Sequence, residues 1–135
     1  MKAFLDACII IYWIEAADPF YSRLAEKIRK LEKAHPGISF AVSRLSLLEC
    51  LVKPVRENDR EVLERYATFF QAPDLHIVEL TPEVIDLATR LRAVHGLRTP
   101  DAIQAACALS LPEKTLFLTN DNAFKNVKGL ELLVV

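Results

Sequence analysis

Glycine is scarce in this sequence, three residues in 135, and no stretch is rich in Gly and Ser. Flexible linkers and low-complexity tracts are thereby excluded, and no internal repeat is present. Long apolar runs are missing too. The longest, Ala7 to Ile14, falls well short of the ~20 residues that a membrane-spanning helix needs. It carries no basic flank or small-residue cleavage site, so neither a span nor a secretory leader is expected. Cysteine is limited to Cys8, Cys50 and Cys107, an odd set without a C-x-x-C pair, each inside an apolar run. These read as reduced, small hydrophobic residues of an intracellular, cytoplasmic chain. His35, His76 and His95 lack zinc spacing. No sign of charge dominates, because 17 Lys plus Arg stand against 18 Asp plus Glu. Nucleic acid is therefore not attracted globally, and any such binding must come from local patches.

What is present is a hydrophobic fraction of 52% in a chain of one-domain size, read as a single unit over 1–135. A chain this long buries roughly two-thirds of the surface its unfolded form exposes. Lys2 to Leu5 reads as a strand, followed by a helix to Ile14 and a second from about Pro19 to Ala34. Ile38 to Val42 is a strand, and Ser43 caps a helix carrying Leu45, Leu48 and Val52 that Pro54 ends. Asp59 to Phe70 fits a helix and Leu75 to Leu80 a strand. Thr81-Pro82-Glu83 starts a helix that Gly96 closes, and Thr99-Pro100-Asp101 repeats that start before an Ala-rich helix. Thr115 to Thr119 and Leu130 to Val135 are the last strands, with a turn at Asp121 to Phe124. Short apolar strands separated by helices predict an α/β/α sandwich around a mainly parallel sheet.

Ligands of such sheets bind beyond the carboxyl ends of the strands, which selects four acids. Asp6 ends the first strand, Asp101 lies in a first helical turn, and Asp121 follows the strand that ends at Thr119. Each of these, taken alone, also serves as a helix-start or turn acid. Glu49 differs, because it shares a helical face with Leu45, Leu48 and Val52, and a carboxylate on an apolar stripe must be paired or bound. Four converging carboxylates repel by about 3 kcal/mol per pair at ~6 Å and an effective dielectric of ~20. No Lys or Arg adjoins any of them in sequence, so the compensation is raised pKa values or bound cations. An all-oxygen site suits Mg(II) or Mn(II), which serve water activation and phosphoryl chemistry. Of two basic stretches, Arg23 to Lys33 reads as a solvated helix face, whereas Arg90, Arg92 and Arg98 lead directly to Asp101. Cys8 has no nearby base and reads as packing.

The segments LDACIIIYWIE, SRLSLLECL, LRTPDAIQAACAL and FLTNDNAF together resemble the four acidic motifs of PIN domains, in the order and spacing of VapC-type ribonuclease toxins. The resemblance covers nearly the whole chain. It implies a PIN-like α/β/α fold and Mg(II)- or Mn(II)-dependent endoribonuclease activity, with Asp6, Glu49, Asp101 and Asp121 as the catalytic and metal-binding quartet. Thr119 matches the family's hydroxyl residue and, with Arg98, is expected at the substrate. Ala7-Cys8 departs from the usual Thr-Asn after the first acid and removes two polar supports. The resemblance also implies a VapB-like antitoxin and a homodimer, and Tyr12 and Trp13 on the apolar first helix are candidate antitoxin anchors. The alternatives are a non-cleaving PIN-like module that binds RNA or a partner, and a PIN nuclease of RNA maturation or DNA processing.

Overall fold

The computed structural model describes all residues from Met1 to Val135. In chain order the elements are β1 (Lys2–Leu5), α1 (Ala7–Ile14), α2 (Phe20–Ala34), β2 (Ser39–Ser43), α3 (Arg44–Arg56) and α4 (Arg60–Phe70). They continue with β3 (His76–Val78), α5 (Pro82–His95), α6 (Thr99–Leu109), β4 (Thr115–Thr119), a single 3-10 turn (Asn122–Phe124) and β5 (Glu131–Val134). No helix is long and apolar enough to cross a membrane.

The strands form one five-stranded sheet in the order β3-β2-β1-β4-β5, every neighbouring pair parallel. Alternation along the central strands divides the core in two. Phe4 of β1 and Phe117 of β4 point to one face, where their rings stack with centroids 5.5 Å apart under α5 and α6. Ala3, Leu5, Leu116 and Leu118 point to the other, which Ile9, Ile10, Leu24, Tyr66 and Phe70 cover from α1, α2 and α4. The result is the expected three-layer α/β/α sandwich. Full burial of each large apolar side chain contributes about 1.5–3 kcal/mol. Ala102, Ala105 and Ala106 let α6 lie close against the sheet side of this core.

Local chemistry explains most helix boundaries. Thr81 Oγ1 accepts from the Val84 N–H at 3.2 Å with Pro82 behind it, and Gly96 closes α5 at φ 67°, a left-handed conformation that side chains disfavour. Ser43 is both the last residue of β2 and the cap of α3, accepting from Leu45 N–H at 3.0 Å. The second Thr-Pro start behaves differently: Thr99 is already helical, and Arg98 holds the cap position without a side-chain bond. The outer strands are also shorter than their apolar segments, since β3 and β5 at the sheet edges each have one pairing neighbour.

Helix α3 departs furthest from its sequence pattern. Pro54 does not end it, because a proline in the final turn forfeits one backbone bond while its ring packs inward, and the helix runs on to Arg56. The buried stripe is Ser46, Cys50 and Pro54, spaced by four. Leu48, Val52 and Val55 point outward and are 65%, 53% and 62% exposed. Glu49 therefore does not lie on a core-facing apolar stripe. It lies beside Ser46, whose hydroxyl meets Gln104 of α6.

Candidate active site

The chain leaves β1 toward β2 on one side and returns through β4 on the other, so β1 and β4 flank the topological switch point of the sheet. Open sheets of this kind bind ligands in the crevice beyond those carboxyl ends. Asp6 stands at its floor, only 9% exposed, with its N–H bonded to Leu118 O at 3.0 Å. Its Oδ1 accepts from Ala7 N–H at 2.8 Å, and its Oδ2 accepts from the Thr119 hydroxyl at 2.8 Å. The Cys8 thiol adds a weak bond at 3.8 Å, so the support expected to be missing after the first acid is supplied from β4 and from the backbone. Burial and the Asp6 charge push the Cys8 thiol up to about 12. It stays protonated, which excludes it as a nucleophile.

Glu49 reaches the same crevice from α3 and accepts from Gln104 Nε2 of α6 at 2.8 Å. Asp101, one turn before Gln104, accepts from Arg98 Nε at 3.2 Å. A basic neighbour does exist, then, contrary to the expectation from adjacency: the i, i+3 spacing delivers Arg98 onto Asp101 at the helix start. Burial holds Asp6 above the usual carboxylate range despite its donors, and the charge of Asp101 adds to the shift. Burial likewise raises Glu49, with Asp6 and Asp101 adding repulsion and Arg98 opposing it. Asp6, Glu49 and Asp101 thus share one electrostatic environment.

Asp121 is tied to that group through Thr119, which also holds Asp6. Its Oδ1 caps the 3-10 turn through Ala123 N–H at 2.8 Å, while its own N–H donates to Thr119 Oγ1 at 3.2 Å. Thr119 is fully buried and its hydroxyl donates to Asp6, so its side chain faces that acid. Arg98, with 80% of its side chain exposed, remains open to an anionic ligand.

The donor chemistry fits a hard divalent cation, since the crevice offers carboxylates and a hydroxyl with no imidazole and no ionised thiol. The carboxylates do not close onto a common point at ligand spacing. Each is turned toward its own protein donor: Asp6 toward Thr119 and Ala7, Glu49 toward Gln104, and Asp101 toward Arg98. Sequence reasoning missed Gln104, although one amide in the run Ala102–Ala108 is a visible break in an otherwise apolar helix.

The aromatic residues of α1 diverge. Trp13 lines an apolar groove of about 370 Å³ with Leu5, Ile9, Leu24, Phe40 and Phe69, beside Arg29 and Glu32. Tyr12 lies outside that groove, stacked on Phe20 at 4.5 Å and bonded to the Asn120 side chain at the edge of the crevice.

The fold is similar to three solved structures. One is VapBC2 from Rickettsia felis bound to a DNA fragment from its promoter, at TM-score 0.75 and 20% identity over 99% of this chain and 98% of that one. Another is a toxin-antitoxin complex from Klebsiella pneumoniae, at TM-score 0.68 and 19% identity over 98% and 96%. The third is VapBC-5 from Mycobacterium tuberculosis, at TM-score 0.62 and 20% identity over 99% and 98%. No curated protein sequence matches the chain. The family model of the PIN domain matches residues 3–130. With that match spanning nearly its full length, and with acids gathered at the switch point of a five-stranded parallel sheet, the chain belongs to the PIN-domain family.

Proposed function

We propose that this chain is a divalent-metal-dependent endoribonuclease, the toxin of a VapBC-type pair acting in the cytoplasm. The observation that carries the reading is the crevice in which burial raises Asp6 and Glu49, repulsion from Asp101 adds to both, and an exposed arginine stands beside them. Such mutual repulsion is relieved by protons or by a cation. Asp6 and Asp101 would hold Mg(II) or Mn(II), with Glu49 completing the site. Bound there, the cation lowers the pKa of a water and neutralises charge on the phosphodiester oxygens. Thr119 keeps Asp6 in one rotamer, Arg98 draws the RNA backbone to the crevice, and Asp121 orients the attacking water from the crevice mouth. The expected products carry a 5′-phosphate and a 3′-hydroxyl.

The groove lined by Trp13 suits the apolar side of an amphipathic antitoxin segment, and similarity to toxin-antitoxin structures supports that partner. The outward stripe Leu48, Val52 and Val55 suits a second copy of the chain. The deciding experiment incubates the purified protein with an RNA oligonucleotide in Mg(II), Mn(II) or excess chelator and weighs the products by mass spectrometry. Cleavage only with metal, leaving 5′-phosphate ends, is the expected result. A 2′,3′-cyclic phosphate formed in excess chelator overturns the hydrolytic reading.

A further inference from the structure

Gln104 is the one polar side chain that α6 buries against α3, and it is 1% exposed. Its Nε2 donates to Ser46 Oγ at 2.9 Å and to Glu49 Oε1 at 2.8 Å, both on α3 and three residues apart. These bonds use its two amide hydrogens on neighbouring turns of one helix. Its Oε1 is buried and has no partner. A buried unpaired carbonyl is a net cost that an aliphatic side chain of similar length would not incur. Its bond to buried Ser46 contributes to stability, but packing alone does not call for a second donor aimed at Glu49. What only the amide provides is a directed N–H toward Glu49. The opposite assignment of its oxygen and nitrogen would set a carbonyl against a carboxylate, two acceptors face to face.

We propose that Gln104 is a positioning residue: anchored on Ser46, it fixes the Glu49 carboxylate in the crevice it shares with Asp6 and Asp101, so that Glu49 is oriented before a cation arrives. The proposal rests on the reading of Glu49 as a cation ligand. Hydrogen bonds that lock a ligand's rotamer typically change metal affinity 10- to 100-fold on removal, about the range expected here. Ser46 is part of the device, because a single bond would leave the amide free to rotate about its terminal torsion.

The test is a calorimetric Mn(II) titration of the full chain, parent and Gln104→Met, with thermal unfolding of both in chelator. The expected result is a loss of about tenfold in affinity, with the variant still folded and unfolding cooperatively in chelator. In a Glu49→Gln background, Gln104→Met should cost nothing more. Parental affinity in Gln104→Met overturns the proposal. So does an equal loss in the Glu49→Gln background, which would mean that Gln104 acts through packing. A parent that binds no Mn(II) rejects the cation site itself, and the proposal falls with it before any variant is made. Should Gln104→Met fail to fold, Mg(II) is titrated into the isotope-labelled parent while the Gln104 side-chain amide signal is followed. That signal should shift with the midpoint of Mg(II) binding, and a signal unmoved at saturation overturns the proposal.

Discussion

The Thr119 hydroxyl donates to Asp6 Oδ2 at 2.8 Å, joining the end of β4 to the residue just after β1 across 113 positions of sequence. Both groups are nearly or fully buried, so the bond holds a carboxylate where water does not reach it freely. Thr119→Val keeps the shape and removes the donor. Loss of a bond to a buried acid should lower stability by about 1–3 kcal/mol in urea unfolding and raise the Asp6 pKa further. Metal affinity should fall with it. A Val variant with parental stability and Mn(II) affinity would show that Asp6 is held by its backbone bonds alone.

The pH dependence follows from the same burial. Asp6 and Glu49 both titrate above their ordinary values of 3.8 and 4.5, so the folded chain binds protons more tightly than the unfolded one. Their contribution to stability is fully present below those ordinary values and is lost as pH rises through the folded ones. In chelator, Glu49→Gln should flatten the decline of the urea midpoint as pH rises above the ordinary carboxylate values. Mn(II) favours the ionised acids and should reverse the decline in the parent. A Glu49→Gln profile parallel to the parent's would mean that Glu49 does not contribute.

Asp101→Asn removes one charge from the shared crevice and frees Arg98, whose side chain is 80% exposed. Exposed pairs contribute little, and relief of repulsion offsets the lost helix-start charge, so stability should change by less than about 1 kcal/mol. Cleavage should drop at least ~100-fold, beyond what loss of an outer partner costs. Rates of oligonucleotide cleavage at saturating Mg(II) measure it, and a parental rate removes Asp101 from the mechanism.

Arg98 faces two ways, toward Asp101 and toward solvent. Arg98→Ala should weaken RNA binding and lower the slope of log affinity against log salt by about one. Because Arg98 competes for the Asp101 carboxylate, Mn(II) should bind the variant at least as tightly as the parent. Fluorescence anisotropy over a salt series measures the first, and an unchanged slope returns Arg98 to an ordinary solvated side chain.

The exposed stripe on α3 offers a test of self-association. Leu48 is 65% exposed, so Leu48→Glu costs the isolated fold little. If two copies meet there, sedimentation should show a dimer for the parent and a monomer for the variant. A parental monomer, or a variant dimer of equal strength, rejects that face.

Much of this was legible along the chain. Local rules such as the Thr81-Pro82 start, the Gly96 stop and the Ser43 cap depend on neighbours within a turn, and they hold in the structure. Alternating short apolar strands and helices pointed to a mainly parallel sheet with helices on both faces, an arrangement that buries both sides of such strands. The same patterning marked Asp6 as a strand-end acid, while Thr119 was singled out only through the resemblance to PIN domains.

What the sequence could not carry is which face of an element meets another. The leucines of α3 suggested an inward stripe, yet Ser46, Cys50 and Pro54 are the buried residues, Ser46 meeting Gln104 of α6 and Cys50 packing into the core with α1 and α4. Glu49 reaches the crevice through Gln104, a partner 55 positions away. Asp121 gives one carboxylate oxygen to the cap of a local turn, and Tyr12 and Trp13, adjacent in sequence, diverge to the crevice edge and the apolar groove. The physical reason is common to all of these. Propensity and periodicity are set by bonds within a few residues, whereas the direction of a side chain's remaining hydrogen bonds and contacts is settled only when distant segments compete for the same buried volume.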